Sequence, residues 1–315
     1  MKTTKNIKKA KVNPVAAKTG VASAWSWSIY AYWFIILFFI AATFYILGRS
    51  HEFMFDRPDT NITEETLSGP AAYVESAKEK LLAGDMEAAI ADLNAAIDGN
   101  AASNTYVLRG EAYMQMGDYQ SALSDFEAAL EVDGVNAVAF YDRALLNTRL
   151  ENYDAALTDI NNALAAQSMK PSDVLNLRDL YAKRGQLNLW LKNWQGAIAD
   201  YTNSLARAEG SISANVYAER AEAYTAMGEY ENAVNDYASA VRIISEQIQA
   251  APSQETREAQ SSNAMAYFEK SAALNLKLNK TDSAKTDLES AFAIATALND
   301  EDSITRIQNL LNDLN

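Results

Sequence analysis

From about residue 70 onward, small, apolar and polar positions recur with a helical period, and the pattern restarts several times. The stretch MGDYQSALSDFEAAL (116–130) returns as MGEYENAVNDYASAV (227–241), 111 positions later (227 − 116). One alanine opens the second half of each unit: Ala89, Ala122, Ala156, Ala197, Ala233 and Ala284, spaced by 33, 34, 41, 36 and 51 residues. Three residues before it stand Met86, Tyr119, Tyr153, Trp194, Tyr230 and Thr281; four after it stand Leu93, Phe126, Ile160, Tyr201, Tyr237 and Leu288. Ala96, Ala129, Ala163, Ser204, Ala240 and Ala291 follow at offset seven. Offsets of three, four and seven share one helix face, so this half of the unit is predicted to be a helix with a narrow apolar stripe. A second small-residue column (Ala77, Gly110, Ala144, Gly185, Ala221, Ala272) lies twelve before the alanine, and an aromatic one (Tyr73, Tyr106, Phe140, Tyr181, Tyr217, Phe268) sixteen before. The dipeptides GD, EN, KN, GE and NK separate the halves. Each unit is thus predicted to be an antiparallel helix pair that can bury its apolar face only against its neighbours.

A different pattern stands near the N-terminus. Residues 29–48 (IYAYWFIILFFIAATFYILG) are uncharged over 20 positions. As a helix rising about 1.5 Å per residue, they match the roughly 30 Å of a bilayer's hydrocarbon. Trp25, Trp27 and Trp33 crowd one end and Tyr45 the other, as expected of side chains that favour the membrane interface. The apolar core is longer than that of a cleaved signal peptide and no small-x-small site follows, so a retained single-pass anchor is expected. Lys2, Lys5, Lys8, Lys9, Lys11 and Lys18 precede it, with no acidic residue in 1–48. The positive-inside rule then places the N-terminus in the cytoplasm and the repeats outside it, in the periplasm if the cell is bacterial. The expected organisation is a basic tail (1–28), a transmembrane helix (29–48), a linker (49–69), a solenoid (70–298) and a capping helix (299–315), the last from SITRIQNLLNDLN.

The columns resemble the tetratricopeptide repeat (TPR), whose unit is about 34 residues; YVLRGEAYMQMGDYQSALSDFEAAL (106–130) carries the resemblance most fully. It implies an all-α solenoid of about six helix pairs, and a use in binding protein. By the family's pattern the first helix of each pair lines the inner face. Candidate partner-binding residues there are Glu111, Met114, Tyr141, Arg149, Gln186, Trp190, Asn215 and Glu222, with Tyr141 and Trp190 as the aromatic anchors. In those TPRs that clamp a C-terminal carboxylate, Lys and Asn recur at set inward places. Here those places hold Val74, Lys78, Leu108, Val138 and Asp142, so that clamp is not expected.

Charge narrows the reading. The whole chain has a formal net charge of −14; without the six N-terminal lysines, the remainder carries 21 basic and 41 acidic residues, a net of −20. Such a body does not suit nucleic acid, whereas the basic tail suits anionic lipid. Two charged columns recur: Asp92, Asp125, Asp159, Asp200, Asp236 and Asp287, and, in the first helices, Arg109, Arg143, Arg184 and Arg220. They are read as ion pairs between packed helices. With no cysteine and a single histidine, His51, neither thiol chemistry nor a histidine-based triad or metal site can form. No catalytic residue, cofactor, metal or small-molecule substrate is expected. The resulting expectation is a non-enzymatic, membrane-anchored TPR scaffold that binds and stabilises, or helps assemble, a membrane protein complex. A chaperone-like binder of exported polypeptides and a receptor with cytosolic repeats are the alternatives.

Overall fold

The structure is a computed structural model that describes residues 69–99, 102–171, 175–208 and 213–314. The expected tail, transmembrane helix and linker, with Trp25, Trp27, Trp33 and Tyr45, lie outside the described residues. Among the described residues no helix is long and apolar enough to cross a membrane.

Thirteen helices and no strand occur among the described residues. They run as six antiparallel pairs and a last single helix: α1 (Pro70–Ala83) with α2 (Met86–Asp98), α3 (Ser103–Met116) with α4 (Tyr119–Val132), α5 (Ala137–Arg149) with α6 (Tyr153–Met169), α7 (Leu177–Trp190) with α8 (Trp194–Leu205), α9 (Ala214–Met227) with α10 (Tyr230–Ala250), and α11 (Gln254–Lys277) with α12 (Thr281–Leu298), then α13 (Glu301–Asp313). Each second helix packs on its own first helix and on the first helix of the next pair, the sequential stacking of a solenoid.

The sharp turn inside each pair has a local cause. The residue ending the first helix adopts a left-handed backbone, supplied by glycine at Gly84, Gly117 and Gly228 (φ 81°, 83° and 78°) and by Glu151, Lys192 and Asn279 elsewhere (φ 61°, 59° and 57°). The next residue often caps the second helix: Asp85 accepts from the Ala88 amide, Asp118 from Ser121 and Asn193 from Gly196. Close packing explains the small column. A methyl group on Gly110 would sit 2.7 Å from the Phe126 ring, and one on Gly185 would sit 2.9 Å from that of Tyr201. The anchor alanines Ala89, Ala122, Ala156, Ala197, Ala233 and Ala284 are all fully buried.

The charged columns form a ladder within the helix pairs. Arg109, Arg143, Arg184 and Arg220 each clasp the aspartate sixteen residues on with two nitrogens, at 2.6 to 3.0 Å. Three of them also reach back to the preceding pair, Arg109 to Asn94, Arg184 to Asn161 and Arg220 to Thr202. One guanidinium thereby joins two repeats. In the outer pairs, where arginine is missing, Lys80 bonds Asp92, and Ser271 and Asn275 bond Asp287.

The wide spacing before Ala284 is not a loop. Residues 243–261 continue α10 to Ala250 and begin α11 at Gln254. The break falls at Pro252, which lacks an amide donor, and Ser253 caps α11 by accepting from Thr256. At the far end α13 covers the open apolar face: Ile307 and Leu311 are buried against Ala284, Leu288 and Ala291. Arg306 clasps Glu269 of α11.

Candidate functional site

The first helices of successive pairs meet side by side along one face, and polar side chains cross between them. Gln186 on α7 donates to Glu219 on α9 (3.3 Å) while Lys183 donates to Gln186 (2.9 Å). Lys270 on α11 donates to Glu222 on α9 at 2.6 Å, and Tyr267 reaches Asn215 at 3.4 Å. Farther back, Glu111 on α3 faces Asp142 on α5. Glu111, Gln186, Asn215 and Glu222 therefore all take part in junctions between first helices.

The apolar and cationic candidates do something else. Arg149 lies over the Tyr119 ring (5.8 Å), Trp190 packs on Tyr153 (5.0 Å, 46°), and Lys277 lies over Tyr230 (4.9 Å). In each case the last turn of a first helix covers the aromatic that opens the preceding second helix. Trp190 thus serves the junction between repeats, although it stays 43% exposed. Met114 and Tyr141 are half-buried and pack on the third- and fifth-helix cores.

Electrostatics along this face are uneven. Burial, and then the nearby Glu111 carboxylate, push Asp142 up to about 8; burial likewise raises Glu111. Glu219 is raised mainly by burial, a rise that the Tyr201 hydroxyl and the Gln186 amide beside it partly offset. Burial also depresses the Lys183 ammonium. Between the fifth and sixth pairs a pocket of ≈ 390 Å³ opens, lined by Glu222, Thr225, Tyr237, Lys270, Ala273 and Lys277. Among the described residues no group of three or more His, Asp or Glu could hold a metal ion.

Lys270, Tyr267 and Lys277 escape a reading centred on the better-formed repeats. The lysines and Tyr267 stand on the first helix of the sixth unit, where Thr281 interrupts the aromatic column. Extending the inward positions into that unit would have found them.

Comparison with known proteins agrees with this architecture. Models of the tetratricopeptide repeat match residues 107–171 and 214–247. No curated protein matches the sequence significantly. The fold is similar to the C-terminal part of a TPR repeat-containing protein from Cytophaga hutchinsonii (TM-score 0.58, 15% identity, covering 78% of this chain and 90% of that one). It is also similar to YrrB, described as a TPR protein with an unusual peptide-binding site (TM-score 0.53, 16% identity, 69% and 97% covered). Pseudomonas aeruginosa PilF gives TM-score 0.52 at 15% identity, with 76% and 96% covered. This chain carries tetratricopeptide repeats, and its described part is an all-α solenoid built from them.

Proposed function

We propose that this chain is a non-enzymatic scaffold, tethered to a membrane by residues 29–48, whose TPR solenoid binds and stabilises, or helps assemble, a membrane protein complex on the extracytoplasmic side. The observation that carries the reading is the mixed character of the first-helix face. Carboxyls at Glu111, Asp142 and Glu219 stand among tyrosines and a few cations, rather than in a continuous apolar trough. Such a surface suits one partner of matching charge and shape better than many unrelated chains. The uncharged 29–48 run and the six lysines before it support the tether and its direction.

The test is purification of the tagged full chain from membranes in mild detergent, followed by native sizing and mass spectrometry. A large particle with partners at fixed ratio is expected. A monomer carrying many substoichiometric polypeptides would replace this reading with the chaperone-like one. Protease added to spheroplasts, with any outer membrane opened, is expected to degrade the solenoid; protection there, lost on lysis, would place the repeats in the cytosol.

A further inference from the structure

Asp142 combines three properties that the rest of the solenoid keeps apart. It is 6% exposed, and its Oδ2 makes no hydrogen bond to any described residue. Among the described residues no cation pairs with it or with Glu111, the half-buried carboxyl that faces it from the preceding pair. The other charged groups around it are already engaged. Arg143, next to it in sequence, is clasped by Asp159 of α6. Tyr141 on the same helix faces both Asp142 and Asp179, and Asp179 accepts from Arg178. From α3 only Glu111 bears on it. The position lies on the face where first helices meet, with Asp142 buried and Glu111 half-buried beside it.

We propose that Glu111 and Asp142 form the seat for one lysine or arginine side chain of a protein partner lying along the first helices. The proposal rests on the partner-binding reading above and supplies the chemistry of one contact. A buried carboxyl with a carboxyl neighbour is a costly arrangement unless a proton or a cation neutralises it. In the free chain a proton does so. When an ammonium or guanidinium docks on Glu111, both carboxyls ionise and one proton leaves to solvent. The occupant is cationic by charge complementarity, because once the proton between them leaves, no other donor among the described residues satisfies the two carboxylates. A buried pair of this kind also selects: a neutral side chain would leave the charge question unchanged and gain nothing.

The experiment uses the full chain in detergent and a fluorescently labelled 12-residue peptide of alternating lysine and alanine. The same peptide with glutamine in place of lysine is the control, and binding is followed by anisotropy from pH 6 to 8 at fixed salt. If one proton is released per peptide, affinity rises by up to about tenfold per pH unit over this range. Exposed carboxylates titrate near pH 4, so general attraction to the acidic body gives no such slope. Asp142→Asn is expected to abolish the slope and weaken binding at pH 8 by about tenfold or more. A slope absent from the unaltered chain, or equal affinity for the glutamine peptide, overturns the seat. So does an Asp142→Asn chain that melts like the parent and binds with the same slope. If replacing the six tail lysines by glutamine tightens peptide binding, the occupant is the chain's own tail, and the partner assignment falls. The titration involves no copurified protein, so failure to recover a complex would count against the proposed function without touching this result.

Discussion

Asp159 and Asp142 are nearly equally hidden, at 3% and 6% exposure, and they have opposite surroundings. Asp159 receives two hydrogen bonds from Arg143 and one from Asn147. Asp142, seventeen residues earlier, faces another carboxyl and leaves one oxygen without a bond. The first belongs to the ladder, a column repeated in four pairs that holds each repeat to itself and, through Asn94, Asn161 and Thr202, to the one before. The second occurs once, on the face where partners would lie. The contrast separates charge used to build the solenoid from charge held ready on it. Burial alone does not distinguish the two; the presence of a fixed cation does.

The strongest way to break the comparison is to make a ladder aspartate resemble Asp142. Arg184→Ala leaves Asp200, 3% exposed, with only the Asn188 amide as donor. Removing one partner of a buried ion pair costs about 3–5 kcal/mol; with the Arg184 side chain 26% exposed, about 3 kcal/mol is expected. Thermal melting followed by circular dichroism should show a fall of several degrees. A change within error would mean that the ladder is a surface feature and the contrast is one of degree only.

The converse change makes Asp142 harmless. Its carboxyl is raised in the folded chain to about 8, against 3.8 for the ordinary value. Between those values the folded state holds a proton that the unfolded state has released, so stability falls as pH rises from about 4 to 8 and is flat above. Asp142→Asn keeps the shape without the charge. It is expected to remove that slope and to raise stability at pH 9 by about 1–3 kcal/mol, the usual cost of a buried group left unsatisfied. Urea unfolding at pH 5 and pH 9 checks it. An unchanged slope would show that Asp142 ionises freely.

Arg143→Lys probes the ladder more gently. Lysine keeps the charge but cannot reproduce the two-nitrogen clasp on Asp159, and it loses the stacking on Phe140 seen at 5.9 Å. A loss of about 1 kcal/mol is expected. A loss as large as that of Arg184→Ala would mean that geometry rather than charge sustains the column.

These two charge patterns differ in how legible they are in the sequence. The ladder can be read because it repeats: Arg and Asp hold fixed places in four units, and their pairing follows from helix spacing alone. The anchor alanines and the small column are legible for the same reason. Asp142 is recognisable as an inward position, yet the corresponding places hold Leu108, Lys183 and Glu219. Nothing in one sequence says that a carboxyl at this place is sealed beside another. Trp190 illustrates a related gap. It reads as an exposed anchor, but the residue it covers, Tyr153, belongs to the preceding repeat, and such a contact emerges only when columns of neighbouring units are overlaid. The 51-residue spacing before Ala284 does not by itself say whether the extra residues form a loop or prolong both helices. One proline and one capping serine are enough to turn them into a hairpin of long helices.

The smallest effect addresses why Asp142 is raised at all. Burial comes first among the causes, and the charge of Glu111 second. Glu111→Gln removes the second and leaves the first. The amide can also donate to the Asp142 carboxylate, which favours its charged form. Stability should then still decline as pH rises above 4, but the decline should end below pH 8, and the chain should gain less than about 1 kcal/mol at pH 9. Acid–base titration of Asp142 by carboxyl-carbon NMR, in the chain with and without the substitution, gives the endpoint directly. An endpoint that stays at 8 would mean that burial alone raises Asp142 and that the two carboxyls do not sense each other. Asp142 would then differ from Asp159 only in lacking an arginine, and the pair would have no common charge for a partner's cation to answer.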